Sequence, residues 1–199
     1  MQFPAILRPL YGDVLWRIKT AEKKIYLTFD DGPVPEVTPA VLEILDRYDW
    51  KATFFCVGEN VYRHPDIYQQ IIDQGHQIGN HTYNHLKGWE SSLKSYVDNV
   101  EKASELINSK LFRPPHGRIG FRQLKLLSKK YRIVMWDVIT ADYDEGKTSE
   151  NVMDIVRSNI RTGSVVVFHD SLKARNRVLN VLPQAIEFWE SEGYTWGLL

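Results

Sequence analysis

The chain has one cysteine, no excess of either charge and no long apolar run, and each shortage removes a class of answers. The single thiol, Cys56, excludes an internal disulfide. Its place in the apolar run Ala52 to Val57 makes it a small buried hydrophobe rather than a nucleophile. Lysine plus arginine equals aspartate plus glutamate at 25 each. No overall field therefore draws the molecule to nucleic acid or an anionic membrane, and any partner must be recognised locally. No segment is apolar for the ~20 residues that a bilayer span requires. Met1 to Leu10 holds one basic residue, Arg8, with two prolines, and lacks the continuous apolar stretch of a leader. A cytoplasmic location is the default expectation, and oligomeric state is left open.

What the sequence does have is regular alternation. With 43% hydrophobic residues over 199 positions, the length suits one domain. Residues 1–24 form a lead-in, 25–170 carry the motifs, and 171–199 close the chain with a helix and a strand. Strands are expected at Ile25–Phe29, Ala52–Val57, Gln77–Gly79, Leu111–Phe112, Ile133–Ile139 and Ser164–Phe168, with a terminal strand within Tyr194–Leu199. Helical spacing of apolar residues marks the segments around Val41–Leu45 and at Pro65–Gln74, Ser91–Asn108, Phe121–Tyr131, Glu150–Ile160 and Val178–Trp189. About seven strand–helix units in strict alternation predict an α/β fold of parallel strands with crossover helices, either an open sheet or a barrel. Both architectures place function at the carboxyl ends of the strands.

The reactive residues cluster at those ends. Thr28-Phe29-Asp30-Asp31-Gly32-Pro33 sets two adjacent carboxylates where the first strand breaks into a turn. Successive side chains of an extended chain point to opposite sides, so the two can serve different partners, one a cation and one a proton. Two like charges so close repel unless a metal, an arginine or water compensates. His81-Thr82-Tyr83-Asn84-His85 follows the third strand, at the spacing that puts two imidazoles on one face of a helical turn. Arg113-Pro114-Pro115-His116-Gly117, Asp142-Tyr143 and His169-Asp170 follow later strands. One Asp and two His would leave coordination positions open on a divalent ion, as in a catalytic rather than a structural site. Zinc is the first expectation; cobalt, nickel or iron suit the same donors.

These five clusters, in this order, resemble the motifs of the polysaccharide deacetylase family, also known as the NodB-homology or carbohydrate esterase family 4 domain. The resemblance runs from about Ile25 to about Asp170, and TFDDGP with NHTYNH carries most of its specificity. It implies a distorted (β/α) barrel, and removal of N- or O-acetyl groups from an acetylated oligo- or polysaccharide. Position by position, it implies Asp30 as general base, Asp31, His81 and His85 as metal ligands, and His169 as general acid. Arg113 would orient the base and Asp142 the acid. The implied chemistry is attack by a metal-activated water, with a backbone N–H near His116 helping to hold the oxyanion.

Two positions depart from the family pattern. His116 stands where tyrosine is usual and Tyr143 where tryptophan is usual, so both, with Pro115, are expected to shape the substrate groove rather than the chemistry. Trp89, in a polar loop beyond the histidine pair, is placed to stack on a sugar ring. His64 and His76 fall outside the clusters and read as structural or surface histidines, His76 as one bonded to backbone. Asp137 reads as a buried hydrogen-bonding group or a support to the site. Asp170 is expected to orient neighbouring loops, and Lys173, Arg175 and Arg177 form a solvated basic run. Short loops predict an open, shallow site. The competing readings are a non-catalytic carbohydrate-binding module on a degenerate barrel, and a metal-dependent hydrolase of a small non-sugar amide.

Overall fold

The computed structural model describes residues 11–199, so the reading of Met1–Leu10 as lacking a leader lies outside the described residues. The fold is organised on β1 (Lys24–Asp30), whose residues from Ile25 onward are all buried. A continuous apolar run is needed because β1 is covered on both faces. Ile25, Leu27 and Phe29 pack outward among the helices. Tyr26 faces the other way, into a small cluster with Phe55, Leu111, Val134 and Val165 that fills the concave side of the sheet.

β2 (Thr53–Cys56), β3 (Gln77–Asn80), β4 (Leu111–Phe112) and β5 (Arg132–Ile133) extend the sheet on one side of β1; β7 (Val165–His169) and β6 (Val138–Ile139) extend it on the other. Every ladder is parallel, and β8 (Thr195–Trp196) pairs with the start of β1. The helices are α1 (Thr38–Arg47), α2 (Gly58–Arg63), α3 (Pro65–Asp73), α4 (Leu93–Ser104), α5 (Phe121–Leu127), α6 (Ser149–Asn159) and α7 (Arg175–Ser191). They cover the convex face, where Phe29 stacks on Phe54 and Trp50 on Trp189. The architecture is the expected distorted barrel.

Three expectations change. Ile133–Ile139 is not one strand: Arg132–Ile133 pairs with β4 and Val138–Ile139 with β7, the two opposite sides of the curled sheet. The intervening residues cross the gap between those sides. Apolar sequence makes the whole run look like a strand because the crossing is as buried as its ends. The lead-in seals the same gap. Leu15 bridges Val134, donating its N–H to Ile133 O and accepting from Met135, while Arg17 bridges Ser164. Second, α2 is an additional helix between β2 and α3. It is too short to show an apolar period. Third, α4 and α5 stop short of their expected ends; the terminal strand lies where expected, at Thr195–Trp196.

Candidate active site

The carboxyl ends of β1, β3, β4, β6 and β7 converge, and they bring together Asp30, Asp31, His81, His85, Arg113, Asp142 and His169. Register explains the first pairing. Asp30 and His169 are Cα partners on adjacent parallel strands, so their side chains emerge on the same, concave face. Asp31 should then point away, yet it reaches the same cluster because its backbone turns into the left-handed region at φ 88. Thr82, His85, His116 and Ala141 also have positive φ, which makes five of the six non-glycine cases among the described residues neighbours of this site. Gly32 permits the turn: a Cβ there would lie 1.9 Å from Asp170 Oδ2.

Asp31, His81 and His85 offer one donor atom each, all within 4.8 Å of one another. Asp31 Oδ1 lies 3.2 Å from His85 Nε2 and 3.7 Å from His81 Nε2. The histidines do not sit on a helical turn as their spacing suggested. They converge from an irregular loop whose left-handed residues fold His85 back toward His81. His81 donates from Nδ1 to the Arg113 carbonyl at 2.7 Å, which leaves the Nε2 lone pair facing the carboxylates. Burial is the main cause that lowers its pKa to about 4, against the pull of Asp30, so the ring is neutral and able to ligate. Burial opposes the charge on Asp31, but the His85 hydrogen bond and the charge of His169 hold its carboxyl well below the usual range. Two imidazole nitrogens with one carboxylate oxygen form a donor set suited to a divalent ion of the zinc type.

Arg113 is fully buried and uses its guanidinium four times. Nη1 donates to Asp30 Oδ1 at 2.6 Å and to Thr28 Oγ1 at 2.8 Å; Nε and Nη2 donate to the carbonyls of Val134 and Met135. It therefore ties β1 to the crossing segment and holds one oxygen of Asp30, while Oδ2 lies 3.9 Å from His81 Nε2. Burial lowers the Arg113 pKa and the Asp30 carboxylate counters it. His169 is fixed from the other side. Asp142 Oδ1 accepts from Nδ1 at 2.7 Å, and Oδ2 accepts the His169 backbone N–H at 2.8 Å. Burial alone would discharge this ring, but Asp142 first, then Asp31 and Asp30, raise its pKa to about 9. One imidazole is thus neutral and another charged within a single cleft.

The family model described as polysaccharide deacetylase matches residues 17–133. The chain belongs to the polysaccharide deacetylase family. It is 33% identical over 190 residues to a Bacillus cereus protein named peptidoglycan-N-acetylglucosamine deacetylase, covering 92% of this chain and 89% of that one. It is 36% identical to a chitooligosaccharide deacetylase of Azorhizobium caulinodans, with 77% of each covered. Among solved structures, the Bc1960 peptidoglycan N-acetylglucosamine deacetylase superposes with a TM-score of 0.91 at 31% identity, covering 99% of this chain and 95% of that one. A carbohydrate esterase family 4 pseudoenzyme from Bacillus anthracis superposes at 0.82 and 26% identity, covering 92% and 66%.

The departures from the polysaccharide deacetylase pattern lie on the rim. His116 is exposed and packs edge-on against His85, ring centres 4.7 Å apart, outside the three-donor group. Tyr143 packs edge-on against His169 at 4.8 Å. Pro115 is buried in the same short turn as His116. Trp89 is 63% exposed, but its indole N–H is held by Ile119 O and Arg118 lies over its ring, so its described contacts are with the turn beyond His116. Asp170 does orient loops, accepting from Gly32 N–H and Thr38 Oγ1. Asp137 is bound by Arg161 and Ser164 near the start of β7, at the opposite end of that strand. Arg177 is not simply solvated; its Nε donates to Asp142 O. Sequence reading missed the bracing residues Thr28, Asn60, Asn80 and Asn99. Thr28 and Asn80 lay inside TFDDGP and NHTYNH, where they could have been noticed.

Proposed function

We propose that this chain is a metal-dependent hydrolase that removes acetyl groups from an N-acetylated sugar polymer or oligomer, with O-acetyl groups as a second possible linkage. The observation that carries the reading is the division of proton states: His81 neutral with its lone pair toward Asp31 and His85, and His169 charged against Asp142. A binding module has no use for that division. The relatives' names, peptidoglycan-N-acetylglucosamine deacetylase and chitooligosaccharide deacetylase, support a glucosamine-type substrate. The pseudoenzyme among the neighbours shows that the fold alone does not confer activity, so the intact residues carry the argument.

Asp31, His81 and His85 would hold the ion, which supplies Lewis acidity toward the acetyl carbonyl and a water. The remaining steps belong to the chain. Asp30, with Oδ1 occupied by Arg113, takes the proton of the attacking water on Oδ2. The oxygen adds to the acetyl carbon, and the His116 backbone N–H is the proposed donor to the resulting oxyanion. His169 delivers the proton from Nε2 to the departing nitrogen, because an amine leaves poorly unless protonated. The C–N bond breaks, and acetate and the free amine are released. His116 and Tyr143 would wall the groove and select the sugar, and Trp89 would offer its open ring face at the rim.

The test is acetate release from N-acetylated oligosaccharides and simple acetyl esters by metal-stripped protein, with and without added zinc or cobalt. Release should require metal and fall at least about 1,000-fold in Asp30→Asn. Sugar binding without release or metal uptake would instead establish the binding-module reading.

A further inference from the structure

The short helix α2 supplies none of the seven converging side chains, yet its first three residues touch both halves of the proposed metal site. Gly58 N–H donates to Thr82 O at 2.9 Å and Glu59 N–H to Tyr83 O at 2.7 Å, both within the loop that carries His81 and His85. Asn60 then extends its side chain the other way. Its Nδ2 donates to the Asp31 carbonyl at 2.8 Å. The same peptide plane is held at its other end by Gly32 N–H donating to Asp170 Oδ1 at 3.0 Å. The Asp31–Gly32 peptide is thus gripped at both poles, and its orientation governs where the Asp31 carboxylate points.

That grip is needed. Asp31 at φ 88 and His85 at φ 59 occupy a conformation that L-residues keep only where their surroundings over-determine it. The two strained ligands come from different parts of the sequence, and α2 is an element bonded to both segments. It also lies close to the histidine loop: a Cβ on Gly58 would meet the Tyr83 ring at 3.0 Å. Partners of this kind fix ligand orientation and typically govern metal affinity by about 10- to 100-fold.

We propose that Asn60 is a positioning residue that sets metal affinity by locking the Asp31–Gly32 peptide to the helix that also holds the histidine loop. The inference rests on the reading of Asp31, His81 and His85 as metal ligands. Its test is the dissociation constant of cobalt or zinc, measured by chelator competition on the full chain, together with the visible spectrum of the cobalt form. Asn60→Leu keeps the side-chain volume and removes the donor. It should still bind one equivalent, at least about 10-fold more weakly, with altered cobalt bands. Asn60→Asp, nearly isosteric, serves if the leucine variant does not fold. Thr148→Ala, at the start of the distant α6, is the control for general loosening and should leave affinity and spectrum unchanged. Wild-type affinity and spectrum in the Asn60 variant would overturn the inference alone, as would an equal loss in Thr148→Ala. Failure of the wild-type protein to bind either metal would overturn the ligand assignment as well.

Discussion

Asp142 grips His169 through both carboxylate oxygens, one on the ring and one on the backbone N–H, so it controls at once the charge and the aim of that imidazole. Replacing it by asparagine keeps the shape and removes the negative charge. A ring held at about 9 should then move back toward its ordinary 6.5. The alkaline limb of the kcat profile, where a required proton is lost, should therefore shift to lower pH in Asp142→Asn, with kcat reduced at all pH values. An unchanged limb would remove His169 as the proton donor. Asp30, Asp31, His81, His85, Arg113, Asp142 and His169 were all recognisable in sequence because their chemistry is distinctive and each follows a strand. Asn60 was not, because a lone asparagine carries no signal until the carbonyl it meets is known; Thr28 stood inside TFDDGP, but its part there follows only from the guanidinium it meets.

At the scale of elements, α6 shows how local sequence can set a boundary. Thr148 Oγ1 accepts from Asn151 N–H while Asn151 Oδ1 accepts from Thr148 N–H, a reciprocal cap that satisfies two otherwise unpaired groups. Thr148→Ala should cost about 1 kcal/mol, lowering the thermal midpoint by about 2–4 °C, with acetate release per folded molecule unchanged. A drop in specific activity would show that α6 communicates with the site, which its packing on α7 does not suggest. The strand errors had a different origin. Val134 to Asp137 is buried and largely apolar like a strand, but it spans from one side of the curled sheet to the other, so periodicity cannot separate it from β5 and β6. Nor could the helical reading of the His81–His85 spacing foresee a loop bent by Thr82 and His85 at positive φ.

For the whole molecule, His76 is an identifiable contributor to acid stability away from the site. His76 is buried beside Phe54, with Nδ1 accepting the Ala52 N–H. Burial lowers its pKa to about 4 from 6.5, so the unfolded chain takes up a proton over this window before the folded one does. The stabilisation is complete above about pH 6.5 and is lost as the pH falls toward 4. Wild type should lose about 2 kcal/mol more than His76→Gln between pH 7.5 and 5, read from urea unfolding of the metal-free proteins. Equal losses would show that His76 is not responsible. Sequence alone determined the alternation of strands and helices, because apolar spacing follows from which faces are buried, and it determined the reactive residues, because the parallel architecture places their segments at strand ends. Tertiary structure alone decided how the sheet closes, which peptide Asn60 holds, how Asp31 turns back beside Asp30, and which imidazole is neutral and which charged. Those outcomes depend on distances and dielectric surroundings between residues far apart in the chain, and no local pattern encodes them.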